Sequence, residues 1–334
     1  MIITSFDIKN FRGVTNLHIE DMAQINILLG RNGCGKTTVM ESVYQLVGIF
    51  ELRGTPYITK MRRLSSHDFT EENSEFIGMC GSSKFSVRAV PIDIKKDTAF
   101  RGVTFYAYVN DMPIGEVKWD LVTDSHGEPI WNHYLGRHCE NYTDKWCVYE
   151  NFLYHMVYPE KAGLRVRNLN DQMMGDLLSV LRHIDPSLRE INDSFCNAVI
   201  AHTAKPDRIS TVMMGEGFSN VISILTAVMT HEGSTVLIDN FESNLHYSVL
   251  KPLWSHIIKY TVKNNIQLFV TTQSWECMLE FMDAFKESGV EGEKVRMFRI
   301  DRRCGDDFVW THKAVRYTYE MMEAGFEEPG IECR

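Results

Sequence analysis

Nothing in these 334 residues reads as a membrane span: no apolar stretch approaches the roughly 18 residues that a crossing helix needs. The N-terminus, Met1 to Lys9, lacks a basic segment followed by an apolar one, so no secretory leader is expected. Paired cysteines are missing as well. Cys34, Cys80, Cys139, Cys147, Cys196, Cys277, Cys304 and Cys333 are scattered with no C-x-x-C, the usage of reduced thiols in a cytoplasmic protein and not of a disulfide framework. The densest group of metal-ligand types, His133, His138, Cys139 and Cys147, has no zinc-site spacing and reads as ordinary packing. No internal repeat or biased segment occurs, which excludes solenoids and propellers. Positive charge is in deficit, with 35 Lys and Arg against 44 Asp and Glu and a net charge of −9. Such a balance does not point to DNA as a partner, although a local basic patch is compatible with it.

What is present is an ordinary globular composition, 44% apolar and 24% charged, in a length that suits about two domains. Short strands are expected at residues 2–9 and 14–19, with a turn at Phe11-Arg12-Gly13. Ile25 to Leu29 is a compact apolar run ending at Gly30, the look of a buried strand. A helix follows from about Lys36 to Phe50. Residues 51–75 read as mostly loop. Three runs rich in Val, Phe and Tyr, at 84–92, 102–109 and 115–122, predict an antiparallel sheet. Helices are expected at 172–182 and 186–198. From residue 209 the order is strand, helix, strand, helix, strand, helix: strands at 209–214, 234–239 and 266–271, helices at 217–230, 248–263 and 275–285. Leu250, Leu253, Trp254 and Ile257 form the stripe of a helix packed on a sheet. This alternation predicts a parallel sheet flanked by helices, to which the strand at 25–29 also belongs.

Gly30-Arg31-Asn32-Gly33-Cys34-Gly35-Lys36-Thr37 fits G-x-x-x-x-G-K-[ST] at every fixed position, after a strand and opening a helix. Its glycines let successive N–H groups turn inward toward phosphate oxygens, and the helix N-terminus adds its dipole. Lys36 is placed for the β- and γ-phosphates of a nucleotide and the Thr37 hydroxyl for Mg²⁺. The dinucleotide pattern G-x-G-x-x-G fails, because the glycines fall at 30, 33 and 35. No N-K-x-D occurs, which argues against a GTPase.

A second group of motifs lies in the C-terminal half. Ser234 to Asp239 is an apolar strand ending in an acid, the form that holds Mg²⁺. Met213-Met214-Gly215-Glu216-Gly217 marks a strand-to-helix junction, and Thr271-Thr272-Gln273-Ser274 closes the following strand. With Phe11-Arg12-Gly13, Asn26, the block Gly30 to Thr38, and Leu245-His246-Tyr247-Ser248, the chain resembles ABC-class ATPase heads of the SMC/RecF kind. It is most similar to AAA-type bacterial ATPases related to the overcoming-lysogenization-defect (OLD) proteins, and the resemblance runs nearly end to end.

The resemblance implies an α/β P-loop head with a mainly parallel core sheet, an antiparallel β lobe and a helical lobe. Residues 1–50 and 200–334 would form the nucleotide-binding core, 84–122 the β lobe and 123–199 a mostly helical or irregular insertion. It implies ATP and Mg²⁺ as cofactors, the metal on Thr37 and Asp239. The nucleotide would be bound by Arg12, Asn32, Gly33, Cys34, Gly35, Lys36, Thr37 and Thr38. Gly215, Glu216 and Gly217 would complete the site of a partner head in an ATP-dependent homodimer or higher oligomer. Asp239, Asn240, Glu242 and Gln273 would carry the hydrolytic part. Here the sequence departs from the family, which has Glu at 240 and His at 273; an amide is not a base at neutral pH. Slow hydrolysis is one expectation, ordinary turnover with help from Glu242 the other. Relatives of this compact kind imply anti-phage defence beside a separate effector protein, without a membrane. A RecF-like DNA-repair ATPase and a non-hydrolysing ATP-binding scaffold are the alternatives. The spacing leaves no room for a long coiled-coil arm, and Asp306-Asp307 reads as a hairpin turn.

Overall fold

The computed structural model describes residues 3–11, 13–48, 76–80, 85–91, 101–109, 112–123, 129–135, 147–150, 160–193, 199–204, 208–305 and 310–327. The chain opens with strands β1 (Ser5–Phe11), β2 (Val14–Glu20) and β3 (Ile25–Leu29), then helix α1 (Lys36–Gly48). Next come β4 (Phe76–Cys80), β5 (Phe85–Pro91), β6 (Arg101–Val109), β7 (Met112–Thr123), β8 (Pro129–Leu135) and β9 (Cys147–Glu150). Helices α2 (Glu160–Arg167) and α3 (Asp171–Leu181) precede β10 (Leu188–Asp193), β11 (Val199–Thr203) and β12 (Arg208–Ser210). The last third holds α4 (Glu216–Thr230), β13 (Thr235–Ile238), α5 (Tyr247–Lys263), β14 (Gln267–Thr271) and α6 (Trp275–Ser288). It closes with β15 (Val295–Cys304), β16 (Trp310–Tyr317) and α7 (Tyr319–Glu327).

Two compact units emerge. One comprises Met1–Met22, Asn32–Cys147 and Ile300–Val315; the other comprises Ala23–Arg31, Val148–Arg299 and Arg316–Arg334. Residues 1–50 and 200–334 thus contribute to both.

The first unit is built on a seven-stranded antiparallel sheet ordered β2-β1-β4-β5-β6-β7-β8. The runs expected at 84–92, 102–109 and 115–122 are its β5, β6 and β7, and β8 extends it past residue 122. Phe6, Ile8, Leu17 and Ile19 are buried at alternate positions of β1 and β2, the two-residue period of a sheet covered on one face.

The second unit centres on β13, β14, β3 and residues 295–299 of β15, parallel neighbours in the strand order β16-β15-β3-β14-β13-β9. All residues of β3, β13 and β14 are buried, as strands covered on both faces must be. Buried Asn26 is satisfied: its Nδ2 donates to Ala23 O (2.8 Å) and to Leu268 O (3.3 Å), and its Oδ1 accepts from Ala23 N–H (2.9 Å). It closes the turn that delivers the chain into β3. Helix α4 is buried nearly all round, whereas α5 buries one face through Val249, Leu250, Leu253, Trp254, Ile257 and Ile258.

The helix expected at 186–198 is overturned, since Leu188–Asp193 is strand β10, antiparallel to β11. The misreading has a physical source. Leu188 and Ile191 are the buried positions, three apart as on a helix, because a register shift between Leu188 and Glu190 inserts an extra residue into the strand. The strand expected at 209–214 is also corrected: β12 ends at Ser210 and a 3-10 turn, Thr211–Met214, follows. His138, Cys139, Arg12, all of residues 51–75 and the turn expected at Asp306-Asp307 lie outside the described residues.

Candidate functional site

The phosphate-loop part of the first unit runs from Asn32 into α1. Gly33 and Gly35 adopt φ of +75° and +105°, conformations that L side chains rarely reach. A side chain at Gly35 would also crowd Val14 Cγ2 at 3.3 Å and the His312 ring at 3.6 Å. Two constraints therefore fix glycine there. Lys36 is the first helical residue and is only 6% exposed, and no acid occupies the first turn of α1. The positive end of the helix is left for an anion. Buried Cys34 has its thiol pushed up by desolvation, against the opposing pull of Lys36, so it packs as a neutral thiol. Asn32 is exposed, and Thr37 and Thr38 are half-buried on the first helical turn.

In the second unit, Asp239 follows β13 and is 6% exposed. The hydroxyl of Thr271 at the end of β14 donates to Asp239 Oδ1 (2.5 Å) and accepts from Asn240 N–H (2.8 Å). This one side chain orients the carboxylate and pins the next residue. Asn240 has φ +52°, a left-handed conformation that Asn tolerates better than most residues, and its side chain is exposed. Glu242 Oε1 accepts from the backbone N–H of Gln273 (3.1 Å), while its Oε2 is buried without a hydrogen-bond partner. Glu242 therefore holds the loop that carries Gln273, a geometry that suits positioning better than proton abstraction. The exposed Gln273 precedes Ser274, which caps α6 by accepting from Cys277 N–H (3.1 Å).

Gly215 and Gly217 flank the start of α4. Gly215 has φ +105°. Gly217 is glycine for a steric reason, because an added Cβ would lie 2.3 Å from the Asn244 carbonyl oxygen. Asn220 of α4 reinforces this approach by donating through Nδ2 to Ser243 O (3.0 Å). The start of α4 and the loop after Asp239 are thus locked together. Between them lies an open cleft of about 660 Å³, lined among others by His183, Met214, Glu216, Asn244 and His246.

The structure accordingly gathers Asp239, Asn240, Glu242 and Gln273 around β13 and β14, and Gly215, Glu216 and Gly217 beside the loop that follows them. Asn32 to Thr38 belong to the first unit. Thr37 in the first unit and Asp239 in the second each carry a hard oxygen donor of the kind that Mg²⁺ prefers. Among the described residues no cluster of three or more His, Cys, Asp or Glu forms a metal site of its own. The sequence places Thr271 in a motif but gives it no role at the site, and it does not pick out Asn244. The bonds of a strand-end hydroxyl and an Asn at φ +61° are set by the fold and leave no sequence signal.

Residues 1–88 match the family model of an AAA ATPase domain. An ATP/GTP phosphatase of Helicobacter pylori is 22% identical over 326 residues, 84% of this chain and 88% of that protein. An uncharacterised protein of Methanocaldococcus jannaschii is 30% identical over 112 residues, 33% of this chain and 93% of its own. The DNA replication and repair protein RecF of Clostridioides difficile is 44% identical over 46 residues, 14% of this chain and 12% of RecF. Among solved structures, an SMC head bound to the C-terminal winged-helix domain of ScpA superposes with a TM-score of 0.51 at 12% identity, covering 97% of this chain and all of that one.

Proposed function

We propose that this chain, which belongs to the SMC/RecF-like AAA ATPase heads, is a nucleotide-dependent switch that hydrolyses ATP slowly. The observation that carries the reading is the setting of Asp239. Its carboxylate is held by Thr271, while the neighbouring position presents an exposed amide, Asn240, where a base would stand. Mg-ATP would supply the phosphoanhydride to be split. Lys36 and the N–H groups from Asn32 to Thr38 would hold its phosphates, with Arg12 nearby, and Thr37 and Asp239 would hold the metal. Asn240 and Gln273 would orient water without taking its proton, which leaves turnover about 10²–10⁴-fold below that of a head with a base.

The name of the Helicobacter relative supports cleavage of a nucleoside triphosphate over a purely scaffolding role. Gly215, Glu216 and Gly217 would face nucleotide bound by a second copy, giving an ATP-dependent dimer. Residues 1–50 with 200–334 would form the nucleotide-binding part, 84–122 the β lobe and 123–199 an insertion lobe. The reading extends to a cytoplasmic protein that signals to a separate effector in anti-phage defence. A DNA-repair role finds less support, since the RecF matches span only 46 to 95 residues and the net charge is −9.

Steady-state phosphate release at saturating ATP tests the proposal. Asn240→Glu should raise turnover by one or more factors of ten, and adding Gln273→His should raise it further. Fast wild-type turnover, unchanged by either substitution, would refute the slow-switch reading.

A further inference from the structure

The outer wall of the phosphate loop carries a built surface that no motif covers. Arg302, at the end of β15, donates from Nη1 to the carbonyl oxygen of Gly33 (3.1 Å). Its guanidinium lies over the indole of Trp310, 3.8 Å from the ring centroid. Trp310 opens β16, and its carbonyl accepts from the Thr15 hydroxyl of β2 (2.9 Å). His312, two residues on, packs its ring against Gly35. All of these residues lie within the first unit.

A loop that turns its N–H groups inward to phosphates must turn carbonyls outward, and Arg302 grips one of those carbonyls. The stacked pair thus stands against the phosphate loop with part of the indole left to solvent. The indole is 40% exposed and the guanidinium exposed. A flat cation–aromatic pair left to solvent next to a phosphate loop is suited to stacking a base, since every base has a π-face.

We infer that Arg302 and Trp310 form the nucleobase subsite of this chain, holding a purine by stacking while the loop holds its phosphates. This rests on the nucleotide-binding reading above. The rival role is mechanical, in which Arg302 and Trp310 only brace the loop through Gly33.

Calorimetric titration of the full chain with Mg-ATP and, separately, with Mg-tripolyphosphate, which has no base, tests the inference. Wild type should bind ATP more tightly than tripolyphosphate. Trp310→Ala should weaken ATP about ten-fold or more and leave tripolyphosphate affinity unchanged, which also shows that the loop has stayed folded. Trp310→Phe should restore most of the ATP affinity. Equal loss of both ligands in Trp310→Ala means a brace and overturns the subsite, as does no loss of either. Wild type that binds ATP no better than tripolyphosphate also overturns it. A wild-type chain that binds neither ligand refutes the nucleotide-binding reading itself.

Discussion

The hydroxyl of Thr271 donates a hydrogen bond to Asp239 and accepts one from Asn240 N–H. Thr271→Val keeps the branched shape and removes both bonds. It should destabilise the chain by about 1–3 kcal/mol and lower phosphate release while sparing ATP affinity; urea denaturation and a turnover assay check this. Gly217 offers a sharper steric test. A methyl group there meets the Asn244 carbonyl at 2.3 Å, so Gly217→Ala should cost about 1–3 kcal/mol, visible as a lowered melting temperature. Gly215→Ala meets nothing within 4 Å and suffers only from its φ of +105°. Loss of dimerisation in a Gly217 variant is therefore interpretable only when its fold is shown intact, which makes the exposed Glu216 the better probe of the interface. The same care applies to Asn240→Glu. Its φ of +52° should cost roughly 1–2 kcal/mol for Glu, so turnover should rise as stability falls.

Between helices, Asp176 of α3 accepts from Tyr260 Oη (2.7 Å) and Lys259 Nζ (2.5 Å) of α5 and from Gln172 within α3 (3.0 Å). Burial works to raise its carboxyl, but these donors outweigh it and hold the group below the ordinary value of 3.8. Such a carboxylate stabilises the fold above its unfolded value, and the contribution is lost as pH falls through the lower folded value. Asp176→Asn should cost about 1 kcal/mol at neutral pH, discounted because Lys259 is half exposed. The gap between wild type and variant should shrink as the pH falls below 3.8 and close through the lower folded value, as denaturation curves at several pH values would show. The parallel β–α alternation around β3, β13 and β14 was legible from apolar runs and from the stripe on α5, because burial on both faces leaves a continuous signal. Strand β10 was not, since its bulge mimics helical spacing. The phosphate loop was legible because its chemistry needs fixed residue types at fixed spacing. The roles of Thr271, Asn244, Arg302 and Trp310 were not, because they arise from tertiary contacts as far as 295 residues away in sequence or from one backbone angle.

At the scale of the molecule, the chain combines a phosphate loop, a held Asp239 and an open cleft beside Gly215 to Gly217. No helix among the described residues is long and apolar enough to cross a membrane. Lys36→Ala removes the buried ammonium at the head of α1 and should abolish ATP binding by calorimetry, since backbone donors alone cannot replace that charge. A switch, however, must change state with nucleotide, and that is the central claim. Sedimentation velocity of the purified chain, run without nucleotide, with Mg-ADP and with Mg-ATP, measures it directly. The account predicts a monomer in the first two conditions, a dimer with ATP, and a Lys36→Ala variant that stays monomeric throughout. A wild-type sedimentation coefficient that is the same in all three would contradict it.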